Sequence, residues 1–209
     1  KEIKPNLSGE VEVTLTEEEV AQALQQSSQS AMLYLPLLGE ETYQKVILTM
    51  ESEAVLRLYR QDKGLMVETP FLTIGWEAEE MAPWMETKET VQLTLSKDAE
   101  TWTVEVLVDG AESTPSMAQI FVPGKFTSGQ VFCLAQGEET QVVRQSVKTK
   151  TGLWANFLVP SVVTVEERGK HFLDTEETYW ASDAIAFVSS RGLFYGTEEE
   201  IFSPGVYMT

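Results

Sequence analysis

The sequence predicts an α+β fold: a mixed sheet with short helices on one face, then a β-hairpin-rich, sandwich-like region, then a C-terminal helical motif. Three observations predict it. Residues 10–100 interleave alternating apolar runs with segments of helical period. Residues 101–168 lose the helical period and cut their alternating runs with glycine turns. Residues 171–209 hold one amphipathic stripe closed by a glycine. The expected division is a lead-in at 1–9, an α+β domain at 10–100, a β-rich domain at 101–168 and the terminal segment at 171–209.

Lys1 to Gly9, with Pro5, Asn6 and Gly9, is a loose entry. Glu10 to Leu15 alternates, placing Val11, Val13 and Leu15 on one face of a strand. Thr16 and Glu19 form a capping box, in which each side chain can satisfy a backbone N–H of the first turn. A helix therefore runs to about Gln26, with Val20, Ala21, Ala23 and Leu24 as its apolar positions. Ala31 to Leu38 is an apolar strand interrupted by Pro36. Tyr43 to Met50 reads as a strand, and Ser52 to Gln61 as a helix whose Val55, Leu56 and Tyr59 share a face, ending at Gly64. Strands at Leu65 to Thr69 and Phe71 to Trp76 flank Pro70. A short helix at Glu77 to Met85 and a strand at Thr90 to Leu95 complete a second strand–helix–strand set, which suggests a weak internal duplication.

From Thr101 onward six strands are expected: 101–108, 117–122, 130–135, 140–147, 153–159 and 162–166. Asp109-Gly110, Pro123-Gly124, Gln136-Gly137 and Thr151-Gly152 supply turns between them. Arg168-Gly169-Lys170 reads as the linker to the last segment. There, Ser182 and Asp183 are natural N-caps, Ala184, Ile185, Phe187 and Val188 form the stripe, and Gly192 is the stop. The turn Ser203-Pro204-Gly205 follows, and Thr209 would cap a further helix.

A chain of 209 residues with 43% hydrophobic content and five tryptophans can bury a real core. Thirty-three acids against 15 lysines and arginines give a formal charge of −18, which repels phosphate backbones and anionic membranes and argues against nucleic acid as a partner. One cysteine, Cys133, excludes an intramolecular disulfide and leaves the compartment open. No apolar run is long enough to span a bilayer. The chain opens on Lys1 with no signal peptide, and the expectation is a piece of a longer exported protein whose targeting segment has been removed.

Catalytic constellations are scarce, and no catalytic residue, metal ligand set or cofactor motif is assigned. His171 is the only histidine and sits beside no nucleophile motif. Cys133, beside Val131 and Phe132 in a strand, fits a small core residue better than a nucleophile. The acids Glu17 to Glu19, Glu77, Glu79, Glu80 and Glu198 to Glu200 fall at helix starts or in a turn, where carboxylates suit the helix dipole or solvent. Trp76, Trp84, Trp102, Trp154 and Trp180 could stack on sugar rings, but core packing is the simpler use of each.

The spacing of the last segment resembles the S-layer homology motif of bacterial cell-surface proteins. The matching positions are Phe172-x-Asp174, Trp180-Ala181, Ala184-Ile185, Gly192-Leu193, Gly196, Phe202-x-Pro204 and Thr209. One copy is present where the family usually strings several, and the family's second helix, with its polymer-holding arginine, is not among these residues. The resemblance implies a non-enzymatic, secreted Gram-positive cell-envelope protein, located at the cell wall or S-layer and anchored to cell-wall polysaccharide. It implies Asp174, Trp180 and Gly196 as a partial wall-polymer binding motif. The order of α+β module, β-rich module and terminal motif is also similar to surface proteins of gut clostridia. An alternative keeps the terminal motif as a tether and makes the first modules an adhesion module for a glycan or protein ligand.

Overall fold

The computed structural model describes residues 3–26, 29–39, 41–136, 139–175 and 179–204. The fold is mixed α+β, with two mixed sheets and a few short helices. The chain forms two compact units: Lys1–Pro123 with Asn156–Val163, and Gly124–Ala155 with Thr164–Thr209. The expected seam at 100/101 lies inside one hairpin of the first unit, and residues 168–171 lie within the second.

The first unit opens with β1 (Glu10–Leu15), α1 (Glu17–Gln26), β2 (Met32–Pro36), β3 (Lys45–Glu51), α2 (Ser52–Arg60) and β4 (Gly64–Glu68). It continues with β5 (Thr73–Trp76), a 3-10 turn at Glu79–Trp84, β6 (Thr90–Asp98), β7 (Thr101–Val108), β8 (Ala111–Glu112) and β9 (Ser116–Pro123). One sheet runs β1-β3-β6-β7 with β8 on β7, and the other runs β9-β5-β4-β2. Each sheet has one parallel pair at an edge of this unit: Val11 faces Val46 in β1–β3, and Leu33 faces Leu65 in β2–β4. The real repeat is therefore β1-α1-β2 followed by β3-α2-β4, one register earlier in the chain than the expected duplication.

The capping box of α1 forms as its residues dictate. Glu19 N–H donates to Thr16 Oγ1 at 3.3 Å, and Thr16 N–H donates to Glu19 Oε2 at 3.1 Å. Along α2 the buried face is Ala54, Val55 and Leu58, while Tyr59 is exposed. The expected helix at 77–85 is a 3-10 turn because Pro83, inside it, has no N–H to give an α-helical ladder. The strands alternate cleanly, so Val46, Leu48 and Met50 meet Leu95, Leu93 and Val91 respectively across the β3–β6 pair, all fully buried. Each such side chain stabilises the fold by about 1.5–3 kcal/mol through lost apolar surface. Trp76 and Trp84 pack edge to face at 5.1 Å, and the Trp102 indole donates to the Phe71 carbonyl at 3.0 Å.

The second unit holds β10 (Gln130–Gln136), β11 (Glu139–Val142), β12 (Val147–Lys148), the first half of β13 (Gly152–Val159), the second half of β14 (Ser161–Glu167) and α3 (Ser182–Ser190). Cys133 faces Val142 in the β10–β11 hairpin, and β14 lies beside β10. The turn at Gly137 lies outside the described residues. The expected strand 140–147 is broken in two, because Ser146 N–H turns back onto the Val143 carbonyl at 3.0 Å. Ser146 is completely buried: its hydroxyl donates to that same carbonyl at 2.6 Å and accepts from Phe132 N–H at 3.0 Å.

Candidate functional site

The helix α3 and the loop after it are set by local chemistry. Ala181 occupies the N-cap position without a side-chain bond, so Ser182 and Asp183 sit in the first turn and not at the cap. The helix ends as the glycine predicts. Gly192 has φ +62°, Gly192 N–H donates to Ser189 O at 3.0 Å, and Leu193 N–H reaches back to Val188 O at 2.9 Å. The inward face is less apolar than the stripe suggests: Ile185 is buried together with Ser189, Ser190 and Arg191.

Arg191 explains that face. It is 1% exposed, and all its hydrogen bonds among the described residues go to carbonyls and one hydroxyl. Its Nε and Nη2 donate to Ser146 O at 2.9 and 2.6 Å, and Nη1 donates to Ser128 O at 3.1 Å. Nη1 also reaches Phe187 O at 3.1 Å and Ser190 Oγ at 2.8 Å, while the guanidinium lies 3.8 Å from the Phe187 ring centre. Burial pushes its pKa down to about 10, which leaves it charged at neutral pH. Sequence reading missed this residue; a charged side chain directly before a helix-stop glycine ordinarily faces water.

The residues of the terminal motif come together in space. Asp174 Oδ1 accepts from Phe202 N–H at 2.8 Å and Oδ2 from Ser203 N–H at 2.6 Å, and these amides hold the carboxyl below its usual range. Phe202 packs against Phe172 at 5.4 Å and Phe194 at 5.1 Å. Gly196 has φ +90°, and a Cβ there would collide with the Ile201 carbonyl and lie 2.7 Å from the Phe172 ring. Asp174 and Gly196 thus close the 192–204 loop onto Phe172. Trp180 stands 86% exposed, with the Tyr179 ring beside it at 5.7 Å. Thr209 lies outside the described residues.

No family model, curated protein or solved structure matches this chain.

Beside the motif the second unit carries a groove of about 570 Å³. One wall is the turn Thr127-Ser128-Gly129, another is Glu167 with Gly169, Lys170 and His171, and the third is the start of α3 from Ser182 to Ala186. Glu167 is fixed in place: Thr127 Oγ1 donates to one carboxylate oxygen, and Gly169 N–H donates to the other at 3.0 Å. Both glycines pack closely here: a Cβ on Gly129 would strike the Glu167 carboxylate in its present position, and one on Gly169 would lie 3.1 Å from Gly129 Cα. The Lys170 ammonium sits 5.5 Å above the exposed Tyr195 ring. The first unit has a smaller groove of about 290 Å³ along β7, lined by Val104, Glu105, Glu112, Ser161 and Val162, in which Ser161 Oγ has no hydrogen-bond partner.

The remaining sequence candidates scatter. Cys133 is fully buried on β10, and burial raises its thiol pKa to about 11, so the thiolate is suppressed. Glu80 accepts from Met117 N–H at 2.9 Å and Glu77 from the Gln119 amide at 3.4 Å, while Glu79 is exposed. Glu17 pairs with Arg57. Trp76, Trp84 and Trp102 are core, and Trp154 is half-buried. Among the described residues no cluster of three His, Cys, Asp or Glu side chains could hold a metal ion, and no helix is long and apolar enough to cross a membrane.

Proposed function

We infer that the chain is a non-enzymatic, exported cell-envelope protein whose segment 171–209 is an S-layer homology unit directed at cell-wall polysaccharide. The observation that supports this reading is the meeting of Phe172, Asp174, Gly196 and Phe202, which are anchors of the resemblance some thirty residues apart, in one closed loop. Asp174 and Gly196 act there as shape-holding residues, and Trp180 is the side chain left free to meet a partner. On this reading the first unit is a sandwich-like surface module. Co-sedimentation with purified Gram-positive wall sacculi tests it. The 209-residue chain should pellet with the sacculi, and Gly196→Ala should reduce that pelleting several-fold. An absence of pelleting, or pelleting indifferent to Gly196→Ala and Trp180→Ala, would remove the wall-anchoring role.

A further inference from the structure

We propose that the groove between the 127–129 turn, Glu167–His171 and the start of α3 binds an uncharged, hydroxyl-rich ligand, a neutral saccharide unit of the wall polymer; this rests on the wall-directed reading above. Its volume of about 570 Å³ falls within the roughly 300–1,000 Å³ of small-molecule sites. By residue type its walls are mostly polar, with Ile185 and Ala186 as the apolar side chains, while carbon supplies more than half of the exposed lining. That mixture suits a sugar ring with its C–H faces and its hydroxyls. An anionic ligand is disfavoured. Glu167 and Asp183 set two carboxylates against Lys170 and His171, on a chain of charge −18.

What fits is a ring bearing several hydroxyls. Each sugar hydroxyl both donates and accepts, and the groove offers both partners. Asp183 and the remaining lone pairs of Glu167 accept, Lys170 donates, and the Thr127, Ser128 and Ser182 hydroxyls do either. Glu167 is pre-positioned by Thr127 and Gly169, so its oxygens need not be ordered when a ligand arrives. Gly129 and Gly169 leave the room that the Glu167 carboxylate occupies on this wall.

Saturation-transfer NMR on the full chain tests the assignment, with the methyl glycosides of N-acetylglucosamine, mannose and glucose as probes and glucuronate and inorganic phosphate as anionic comparisons. At least one neutral glycoside should give a signal. Lys170→Ala with Asp183→Ala, both exposed positions, should weaken binding at least tenfold. If that pair fails to fold, Asp183→Trp, which obstructs the groove mouth from outside, should do the same. No signal from any neutral glycoside, preference for glucuronate or phosphate, or binding unchanged in these variants overturns the proposal. Sacculus pelleting in parallel separates the two readings: pelleting without glycoside binding removes the groove alone, and glycoside binding without pelleting removes the anchoring role alone.

Discussion

Arg191 and Asp109 both concentrate hydrogen bonds on one charged side chain, yet they respond to perturbation differently. Replacing Arg191 with Met keeps the volume and removes the donors to the buried Ser146 carbonyl and the part-buried Ser128 carbonyl, while the Phe187 carbonyl keeps the Ser190 hydroxyl. The expected loss is on the order of 3 kcal/mol, read as a lower urea midpoint at unchanged m-value, since buried acceptors without donors cost about 1–3 kcal/mol each before relaxation. Arg191→Lys should recover only part, because a single ammonium cannot reproduce the planar fork. Asp109, at the β7–β8 turn with φ +51°, accepts from the Lys88, Glu89 and Thr90 amides and the Thr87 hydroxyl. Those amides, Lys88 first, lower its pKa to about 2. The folded value lies below the unfolded one, so the unfolded chain binds the extra proton. The stabilisation is complete above the ordinary carboxyl range and is lost as pH falls toward about 2. Acid titration of stability should show this slope in the native protein and lose it in Asp109→Asn; identical slopes would mean that Asp109 is not the group responsible.

At the scale of elements, the short stretches with a local cause were legible. The Thr16–Glu19 box starts α1 where its spacing says, and Thr16→Ala should cost about 1 kcal/mol of stability by thermal melting, the usual value of a lost cap. The alternation of Val46, Leu48 and Met50 marks β3 because one face is core and the other is not. Partner choice was not legible: nothing local tells β1 to lie parallel to β3, and the duplication was accordingly placed one set too late. Pro83 did carry a warning that the 77–85 segment could not be an α-helix. Asp174 and Gly196 were singled out only through the family resemblance, and the groove was not legible at all, because its walls come from residues 127–129, 167–171 and 182–186. The face of α3 was misread for a related reason. Ser189 and Ser190 are acceptable inside because their hydroxyls donate to the Ala186 and Phe187 carbonyls, and Arg191 becomes so only once the Ser128 and Ser146 carbonyls, sixty-three and forty-five residues away, are placed against it. That dependence predicts that truncation before Lys170 costs the second unit far more than a dispensable tail would, with loss of hydrogen-exchange protection along β10. Retained protection would show that the hairpins hold without α3.

For the molecule as a whole, a charge of −18 predicts no measurable retention on duplex DNA or on phosphatidylserine vesicles at physiological salt, and a gel shift or vesicle flotation at low salt would contradict it. The larger consequence lies in the path of the chain through the first unit. Between Glu10 and Pro123 it passes five times from one sheet to the other: after β1, β2, β3, β5 and β8. β1 and β3, thirty-five residues apart, cannot pair until the chain has travelled out through α1 and β2 and come back. Neither layer is a continuous piece of sequence that could assemble and wait for the other. The weave therefore makes the pair of sheets a single cooperative object, slow to form because its contacts are distant in sequence. Amides of β1, β2 and β6 should then exchange with solvent through one shared opening event, with the same free energy measured at all three.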